Sequence, residues 1–343
     1  MKKLLAAGLL AMSAALAPIS AEAQEVTLKL HQFLPLKSSV PADFIQPWIE
    51  TIEKESGGRI KIEHYPSMQL GGKPPELIQQ ATDGAVDIVW TLPGYTPGRF
   101  PKIEAFELPF MVANGNAEAT SRALQEYYEK NMTDHFPGLK VICVHTHGAG
   151  LLHTKSPVNK LEDVKGMKLR GPTRVITSML ETLGAVPIGM PVPAVPEAVS
   201  KGVIDGAVIP WEVTLPLKMA ELVGNHTELS GDRGLYSATF VFAMNQESYD
   251  NLPDDLKKII DDNSGVEAAA TAGRAMDKFD KIGRKKAEDA GNTIITLDEP
   301  ETQRWKDAAA PVVDKWIEDM NGQGFDGQAL VDDARALLEK NAM

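Results

Sequence analysis

Two distant stretches of the chain follow one pattern, and this echo limits the possible fold more than any other feature of the sequence. Residues 79–93 and 198–210 each pass from a helical segment through a glycine and an aspartate into an apolar strand that ends near a proline. Glycine suits the left-handed end of a helix, so each copy predicts a helix followed by a buried strand. One copy in each half of the chain predicts two similar α/β lobes that face each other.

The order of the other segments indicates parallel sheets. Alternating or apolar runs predict strands and amphipathic runs predict helices, in the order strand 26–30, helix 43–55, strand 59–65, helix 75–82 and strand 85–90. A βαβαβ order is typical of a parallel sheet. Glycine-rich residues 148–150 predict a crossing between the lobes, and residues 235–243 predict a second one. A long charged helix is predicted from Leu256 to about Ala290.

One cationic residue, Arg170, lies where ligands bind in such folds. Residues 167–170 read as a short strand, Pro172 stops it, and residues 174–183 have the apolar spacing of a helix. Arg170 therefore sits at the carboxyl end of a strand, the ligand-binding edge of an open α/β sheet. Its planar guanidinium matches a carboxylate or a phosphate. The alternative is a structural salt bridge at the surface.

The first residues predict export. A charged start, an apolar run from Leu4 to Ile19 and an A-x-A signal ending at Ala23 predict a signal peptide over residues 1–23, cleaved after Ala23, and a periplasmic location. A membrane anchor is the alternative. The formal net charge of −12 disfavours nucleic acids and anionic membranes as partners.

The sequence carries no strong signal for catalysis or for a metal. It contains no G-x-S-x-G, H-E-x-x-H, G-x-x-x-x-G-K-[ST] or G-x-G-x-x-G motif, so we predict that the protein is not an enzyme and needs no cofactor. His145, His147 and His153 lie close in sequence, but no acidic or thiol ligand is suitably spaced, which favours strand histidines over a metal site. Cys143, the only cysteine, reads as a buried core thiol.

Several motifs, kept in order across nearly the whole chain, resemble the DctP-type extracytoplasmic solute receptors of tripartite ATP-independent periplasmic (TRAP) transporters. They are residues 65–71 (YPSMQLG), 84–87 (GAVD), 164–170 (VKGMKLR), 183–190 (LGAVPIGM), 202–206 (GVIDG) and 252–256 (LPDDL). The resemblance implies two α/β lobes with mainly parallel sheets, joined by crossing strands and a long helix that spans both. It implies closure on an organic acid whose carboxylate pairs with Arg170, and delivery to a TRAP permease. We place lobe I at residues 24–147 and 236–275, and lobe II at 148–235 and 276–343.

The chain departs from the family where polar ligands are held. Gly150 stands where many members carry a second arginine, Leu92 replaces a frequent glutamate, and Ile209 replaces an asparagine. An unpaired second carboxylate would be costly in a closed cleft. The departures favour one carboxylate and an apolar body.

These departures predict an aromatic, benzoate-like monocarboxylate as the ligand. Leu92, Ile209, Trp211, Tyr95 and Phe240 are expected to form the wall of the site. A ring hydroxyl would bind one of four polar residues: Gln32, His145, His147 or Glu212. Two ligand alternatives remain open, a small aliphatic 2-oxo or 2-hydroxy acid and a dicarboxylate. A ligand-presenting sensor subunit or a periplasmic enzyme is the competing class.

Overall fold

Two mixed β-sheets, one for each half of the fold, organise the chain. The computed structural model describes residues 25–113, 115–231 and 233–342; the predicted leader and its cleavage point lie outside them. The strands are β1 Val26–Gln32, β2 Ile60–Tyr65, β3 Ile88–Thr91, β4 Leu139–Thr146, β5 Leu151–Thr154, β6 Lys168–Gly171, β7 Val186–Gly189, β8 Gly206–Ile209, β9 Asn225–Leu229, β10 Thr239–Asn245 and β11 Thr293–Leu297.

Twelve α-helices accompany these strands in the described residues. They are α1 Gln46–Glu55, α2 Leu77–Thr82, α3 Ala117–Asn131, α4 Arg174–Thr182, α5 Val195–Ser200, α6 Trp211–Leu217, α7 Met219–Leu222, α8 Gln246–Asp250, α9 Asp254–Asp262, α10 Val266–Asp289, α11 Glu299–Gly322 and α12 Gly327–Asn341. None of the helices in this part of the chain is both long and apolar enough to cross a bilayer.

The first sheet has the strand order β2-β1-β3-β10-β4, and the second has the order β11-β9-β5-β8-β6-β7. Strands joined by a crossover helix pair in parallel, as β1 does with β2 and β3, and as β6 does with β7 and β8. Every antiparallel pairing involves β5 or β10. These two strands follow the passages of the chain from one sheet to the other, so the predicted two-lobed α/β fold with crossing strands is confirmed.

The predicted helix from Leu256 to Ala290 is wrong in one respect: it is two helices. The chain leaves α9 after Asp262 and enters α10 at Val266, with Gly265 between them at φ +79°. A left-handed residue cannot continue a right-handed helix, and glycine adopts that conformation without a Cβ clash. Residues 261–265, Asp-Asp-Asn-Ser-Gly, contain no apolar side chain and form a turn signal, which the prediction of a single helix passed over.

Helix α10 contacts elements beside both sheets. Asp277 accepts hydrogen bonds from the backbone N–H groups of Ala117 (2.6 Å) and Glu118 (3.0 Å) at the start of α3. One turn further on, Asp280 accepts a hydrogen bond of 2.7 Å from the backbone N–H of Glu212 in α6. Carboxylates therefore meet the positive ends of two helices, one from each half of the fold. This agrees with a helix that spans both lobes.

The last helix packs beside the first sheet. Two ion pairs, Lys130–Asp333 at 2.7 Å and Lys340–Glu126 at 2.8 Å, join α12 to α3. The sequence-based boundaries place residues 276–343 in lobe II, whereas α3 flanks the first sheet. The exact division between the lobes remains a prediction.

A buried ion pair joins the two halves outside the cavity described below. Glu104, in the 3₁₀-helical segment Pro101–Glu107 that follows the first-sheet strand β3, accepts two hydrogen bonds from Arg174 in α4, at 2.6 and 2.5 Å. The indole N–H of Trp316 in α11 donates to the same carboxylate at 3.1 Å. Burial raises the pKa of Glu104, and Arg174 opposes that shift. The bidentate geometry fixes α4 against the opposite half of the fold.

Candidate ligand-binding site

One small cavity lies where the carboxyl ends of strands from both sheets converge, with about 30 Å³ accessible to a water-sized sphere. The lining residues come from both halves of the fold: Phe33, Leu34, Trp90, Leu92, Tyr95, His147, Arg170, Pro172, Val192, Ile209, Pro210, Glu212, Val213, Tyr236, Ala238 and Phe240. A ligand in this position contacts both lobes.

Arg170 is the cation in this lining, and its side chain is only partly satisfied. The residue is 2 % exposed. Its Nε donates to the carbonyl of Met190 at 2.9 Å, and its Nη1 donates to the carbonyl of Val208 at 3.4 Å. Nη2 is buried and has no hydrogen-bond partner among the described residues. Two backbone carbonyls therefore orient the guanidinium, while one pair of its N–H donors is left for a bound anion.

Two tyrosines lie close to this guanidinium. The hydroxyl of Tyr95 accepts a hydrogen bond of 3.0 Å from the backbone N–H of Val192. Burial raises the pKa of Tyr95 and of Tyr236, and the charge of Arg170 opposes the shift in both. Both phenols therefore stay neutral at physiological pH and keep a proton to donate. The Arg170 end of the cavity offers cationic and neutral donors together.

Stacked rings form the apolar wall. Phe33 stacks on Trp90 with centroids 4.9 Å apart and an interplanar angle of 6°, and Trp90 stacks on Phe240 at 5.0 Å and 3°. His145 lies beside Trp90 and parallel to it, with centroids 6.1 Å apart; it accepts a hydrogen bond of 2.8 Å from Trp90 Nε1 and stacks on Phe240 at 4.9 Å. These rings form an apolar part of the cavity lining. The orientation of the Trp90 ring is fixed because its indole N–H is already paired with His145.

Gly150 lies behind the cavity wall, and its lack of a side chain shapes that wall. A Cβ placed on Gly150 would be 2.1 Å from the ring of Tyr236, far inside contact distance. The backbone N–H of Gly150 also donates to the carbonyl of Tyr236 at 2.8 Å. The Tyr236 ring therefore fills the space into which any side chain at position 150 would project.

Glu212 is the acidic member of the lining. It is 3 % exposed, its Oε2 accepts a hydrogen bond from the hydroxyl of Ser39, and its backbone N–H donates to Asp280. No described ion pair or hydrogen bond connects it to Arg170. Burial raises the pKa of Glu212 to about 7, and the bond from Ser39 opposes the shift. At neutral pH this carboxyl is protonated in a large fraction of the molecules.

His147 lines the cavity but has both ring nitrogens occupied. Its Nδ1 lies 2.7 Å from the carbonyl of Gly148, which can only accept, and its Nε2 accepts from the backbone N–H of Ala238 at 3.0 Å. Burial, together with a smaller contribution from the charge of Arg170, lowers the pKa of His147 to about 4. A neutral ring with these bonds has no donor left for a ligand.

The structure brings together seven of the eleven residues considered for the site and separates the other four. The seven in the lining are Leu92, Tyr95, His147, Arg170, Ile209, Glu212 and Phe240. Gly150, Gln32, His145 and Trp211 lie outside it. The buried amide of Gln32 bonds the backbone of Leu34, through Nε2 at 2.8 Å and Oε1 at 2.5 Å.

Trp211 was predicted to form part of the cavity wall, but it packs behind the second sheet and does not line the cavity. Its ring meets His153 at 5.0 Å and His226 at 4.8 Å, and its Nε1 donates to Glu228 at 2.8 Å. The residue directly follows Pro210 at the start of α6, where the helix turns its first side chain away from the cavity and its second, Glu212, towards it.

Sequence reasoning missed the residues that contribute most of the ring surface. Trp90 and Phe33 lie at the carboxyl ends of β3 and β1, the same position in the sheet that singled out Arg170. Applying that rule to every strand would have found both. Tyr236 lies in the passage into β10, and no local sequence signal indicates that its ring turns towards Gly150.

No group of three or more His, Cys, Asp or Glu side chains within residues 25–113, 115–231 and 233–342 is arranged to hold a metal ion. His153 instead forms a pair with His226, with Nδ1 atoms 2.7 Å apart, while Cys143 is buried.

Comparison with known proteins gives one consistent result. The family model described as bacterial extracellular solute-binding protein, family 7 (DctP), matches residues 33–319. A TRAP solute-binding protein from Rhodoferax ferrireducens T118, in complex with copurified benzoate, is 50 % identical, with a TM-score of 0.90 over 92 % of this chain and 98 % of that one.

Two further proteins are similar to this chain over most of its length. A marine metagenome TRAP solute-binding protein specific for aromatic acid ligands, in complex with 3-hydroxybenzoate, is 51 % identical, with a TM-score of 0.90 over 93 % of this chain and 99 % of that one. The outer membrane transporter protein TsaT of Comamonas testosteroni is 25 % identical over 94 % of this chain and 95 % of its own length.

Proposed function

We propose that this chain, which belongs to family 7 of the bacterial extracellular solute-binding proteins, binds an aromatic monocarboxylate in the cavity between its lobes and delivers it to a TRAP permease. Its family membership confirms the resemblance found in the sequence. The chain is a solute receptor and not an enzyme. The observation that carries the ligand assignment is the buried, unpartnered Nη2 of Arg170 beside a wall of stacked rings.

Arg170 accounts for the carboxylate. Its two carbonyl partners orient the guanidinium without neutralising it, because they are dipoles and not charges. A carboxylate on Nη2 supplies the missing acceptor and the counter-ion at once. The hydroxyls of Tyr95 and Tyr236 lie in the field of the same guanidinium and complete the set of donors. One bound carboxylate therefore satisfies this end of the cavity.

The ring wall accounts for the aromatic body. Phe33, Trp90 and Phe240 present stacked surfaces to the cavity, and Leu92 and Ile209 add aliphatic contact. Aromatic contacts contribute about 0.5–1.5 kcal/mol per ring pair beyond the burial of area. A short aliphatic acid would leave much of this surface unused. Relatives at 50 % and 51 % identity that bind benzoate and 3-hydroxybenzoate support the same assignment.

Export and partners complete the proposal. Residues 1–23 act as a cleaved leader, the protein works in the periplasm, and the acidic surface of the chain, with a formal charge of −12, faces basic loops of the permease. Genes for a large and a small membrane subunit beside this one would support transport, whereas a neighbouring histidine kinase gene alone would favour a sensor subunit.

A calorimetric series of matched acids tests the ligand class. Benzoate should bind more tightly than cyclohexanecarboxylate, which has the same carboxylate without a flat ring, and lactate should bind far more weakly than either. Benzamide, which keeps the ring without the charge, should not bind measurably. If lactate or succinate binds more tightly than benzoate, the assignment is wrong and one of the aliphatic alternatives is right.

A further inference from the structure

Apart from the donors around Arg170, the cavity contains the carboxyl of Glu212. An aromatic acid without a further polar group would form no hydrogen bond with it. Ser39, from the segment between β1 and α1, donates to its Oε2. No described residue forms a hydrogen bond with its Oε1. Glu212 itself comes from α6, which follows the second-sheet strand β8, so the Ser39 bond joins elements of the two halves. The carboxyl is held in place while one of its oxygens remains available.

The other polar groups considered for a ring hydroxyl are already used. Gln32 does not line the cavity and bonds the backbone of Leu34. His145 does not line the cavity, stacks on Phe240 and accepts from Trp90. His147 has both nitrogens bonded to backbone groups. Elimination leaves Glu212 as the polar partner separate from the donors around Arg170.

The surroundings of Glu212 favour its neutral form. The titratable and charged groups that face it are Asp280 of α10, the phenol of Tyr236, and Arg170 in the same cavity. None of the ion pairs in the described residues includes Glu212, and burial raises the pKa of the neighbouring Asp280 carboxyl well above its usual range, which favours the neutral form of that group too. A neutral carboxyl can both donate to and accept from a hydroxyl, whereas a carboxylate can only accept.

From these contacts we infer that Glu212 is the specificity-determining residue that forms a hydrogen bond with a hydroxyl on the ligand ring, so that hydroxy-substituted aromatic monocarboxylates are the preferred ligands. This inference rests on the proposed function. Arg170 holds the carboxylate, the stacked rings hold the aromatic body, and Glu212 distinguishes a hydroxylated ring from a plain one. Ser39 is a positioning residue, because it orients the carboxyl without touching the ligand.

The test measures a preference, defined as the dissociation constant of benzoate divided by that of the better of 3- and 4-hydroxybenzoate, at pH 6. One hydrogen bond between neutral groups corresponds to about 2- to 12-fold in this ratio. The wild type should show such a ratio. Glu212→Met keeps the length of the side chain without its polar atoms, and its ratio should fall to about one. Glu212→Gln keeps a neutral hydrogen-bonding group and should retain a ratio above that of the Met variant.

The dependence of ligand affinity on pH distinguishes a direct role of the Glu212 carboxyl in binding from a purely structural role of this residue. A bound anion favours protonated Glu212, so the affinity of the wild type should fall by about tenfold between pH 6 and pH 8, as the protonated fraction falls through a pKa of about 7. Benzoate itself stays ionised over this range. Glu212→Gln should abolish the decline.

Glu107→Gln is the matched control. Glu107 is another buried carboxyl whose pKa burial raises to about 7, but it does not line the cavity. This variant should keep both the preference and the pH dependence. A Glu212→Met variant that folds and keeps the wild-type preference would overturn the inference, as would a Glu212→Gln variant with the wild-type decline. If wild type binds benzoate and both hydroxybenzoates equally, only the inference fails; if it binds none of them, the proposed function fails as well.

Discussion

Replacing Arg170 by methionine should weaken ligand binding strongly while changing the stability of the unliganded protein little. The substitution keeps a long side chain in a site that is 2 % exposed and removes a buried charge that has no anionic partner among the described residues. A structural arginine behaves differently, because its loss leaves a partner unpaired. The two measurements together therefore distinguish a ligand-binding charge from a structural one.

The magnitudes follow from the contacts of the guanidinium. Its bonds to Met190 and Val208, at 2.9 and 3.4 Å, contribute about 1.5–3 kcal/mol for the shorter and less for the longer. Leaving Nη2 buried and unsatisfied costs about 1–3 kcal/mol, so the free energy of unfolding of the unliganded variant should stay within about 2 kcal/mol of wild type. In the complex the carboxylate satisfies Nη2. Binding should then weaken by about 2–5 kcal/mol, or roughly 30- to 4,000-fold.

Urea unfolding of the unliganded proteins measures the first quantity, and calorimetry with benzoate measures the second. In a thermal scan, benzoate at a hundred times its dissociation constant stabilises the wild type by about 2.7 kcal/mol, which raises the Tm of a chain of roughly 320 residues by about 4 °C. Arg170→Met should show no such rise. Arg174→Met is the control, because it strands the buried carboxylate of Glu104 and should lower unliganded stability by up to about 3 kcal/mol. Binding of benzoate by Arg170→Met within threefold of wild type would refute the carboxylate assignment.

Two further predictions concern Gly150 and the buried histidine pair. Gly150→Ala should weaken benzoate binding at least tenfold in calorimetry, because its Cβ would displace the Tyr236 ring, whereas Gly224→Ala, with no atom within 4 Å of its Cβ, should bind like wild type. His153 and His226 are both neutral, and burial lowers the pKa of each, that of His226 to about 4, below the ordinary value of 6.5. A histidine whose pKa is lowered in the folded state stabilises the fold above pH 6.5, and this contribution is lost as the pH falls towards 4. His226→Asn, which keeps a donor for His153 without titrating, should therefore lose less unfolding free energy than wild type between pH 7 and pH 4.5.

Most of the fold was predictable because it depends on local patterns. The alternating and apolar runs placed the first-sheet strands within a few residues of their observed ends, and the order of strands and helices indicated which of them pair in parallel. The break at Gly265 was indicated by the polar run Asp-Asp-Asn-Ser-Gly at residues 261–265, which the sequence-based prediction passed over. The backbone is left-handed at that glycine.

Position in the sheet predicted Arg170, and the family resemblance drew attention to Leu92 and Ile209. Arg170, Leu92 and Ile209 lie at strand ends, and the fold brings them together whatever their neighbours do. Trp211 and Glu212 are adjacent in sequence, yet only Glu212 faces the cavity, because the start of α6 sends consecutive side chains in different directions. That direction is set by the packing of Trp211 against the histidine pair, which no local pattern shows.

Gly150, where the family resemblance implies an arginine in many members, helps to explain how one cation can define a ligand. The space that a side chain at position 150 would need is occupied by the Tyr236 ring. With glycine at this position, Arg170 has a neutral phenol beside it and not a second positive charge. A dicarboxylate in this cavity would place its second anion against stacked rings or against the oxygens of Glu212, without a compensating cation in the described lining. Burial of an unpaired carboxylate costs several kcal/mol, enough to reject a dicarboxylate by more than a hundredfold in favour of an acid with one carboxylate. The cavity thus selects its ligand by the carboxylate that it pairs with Arg170 and also by the second carboxylate that it would leave unpaired.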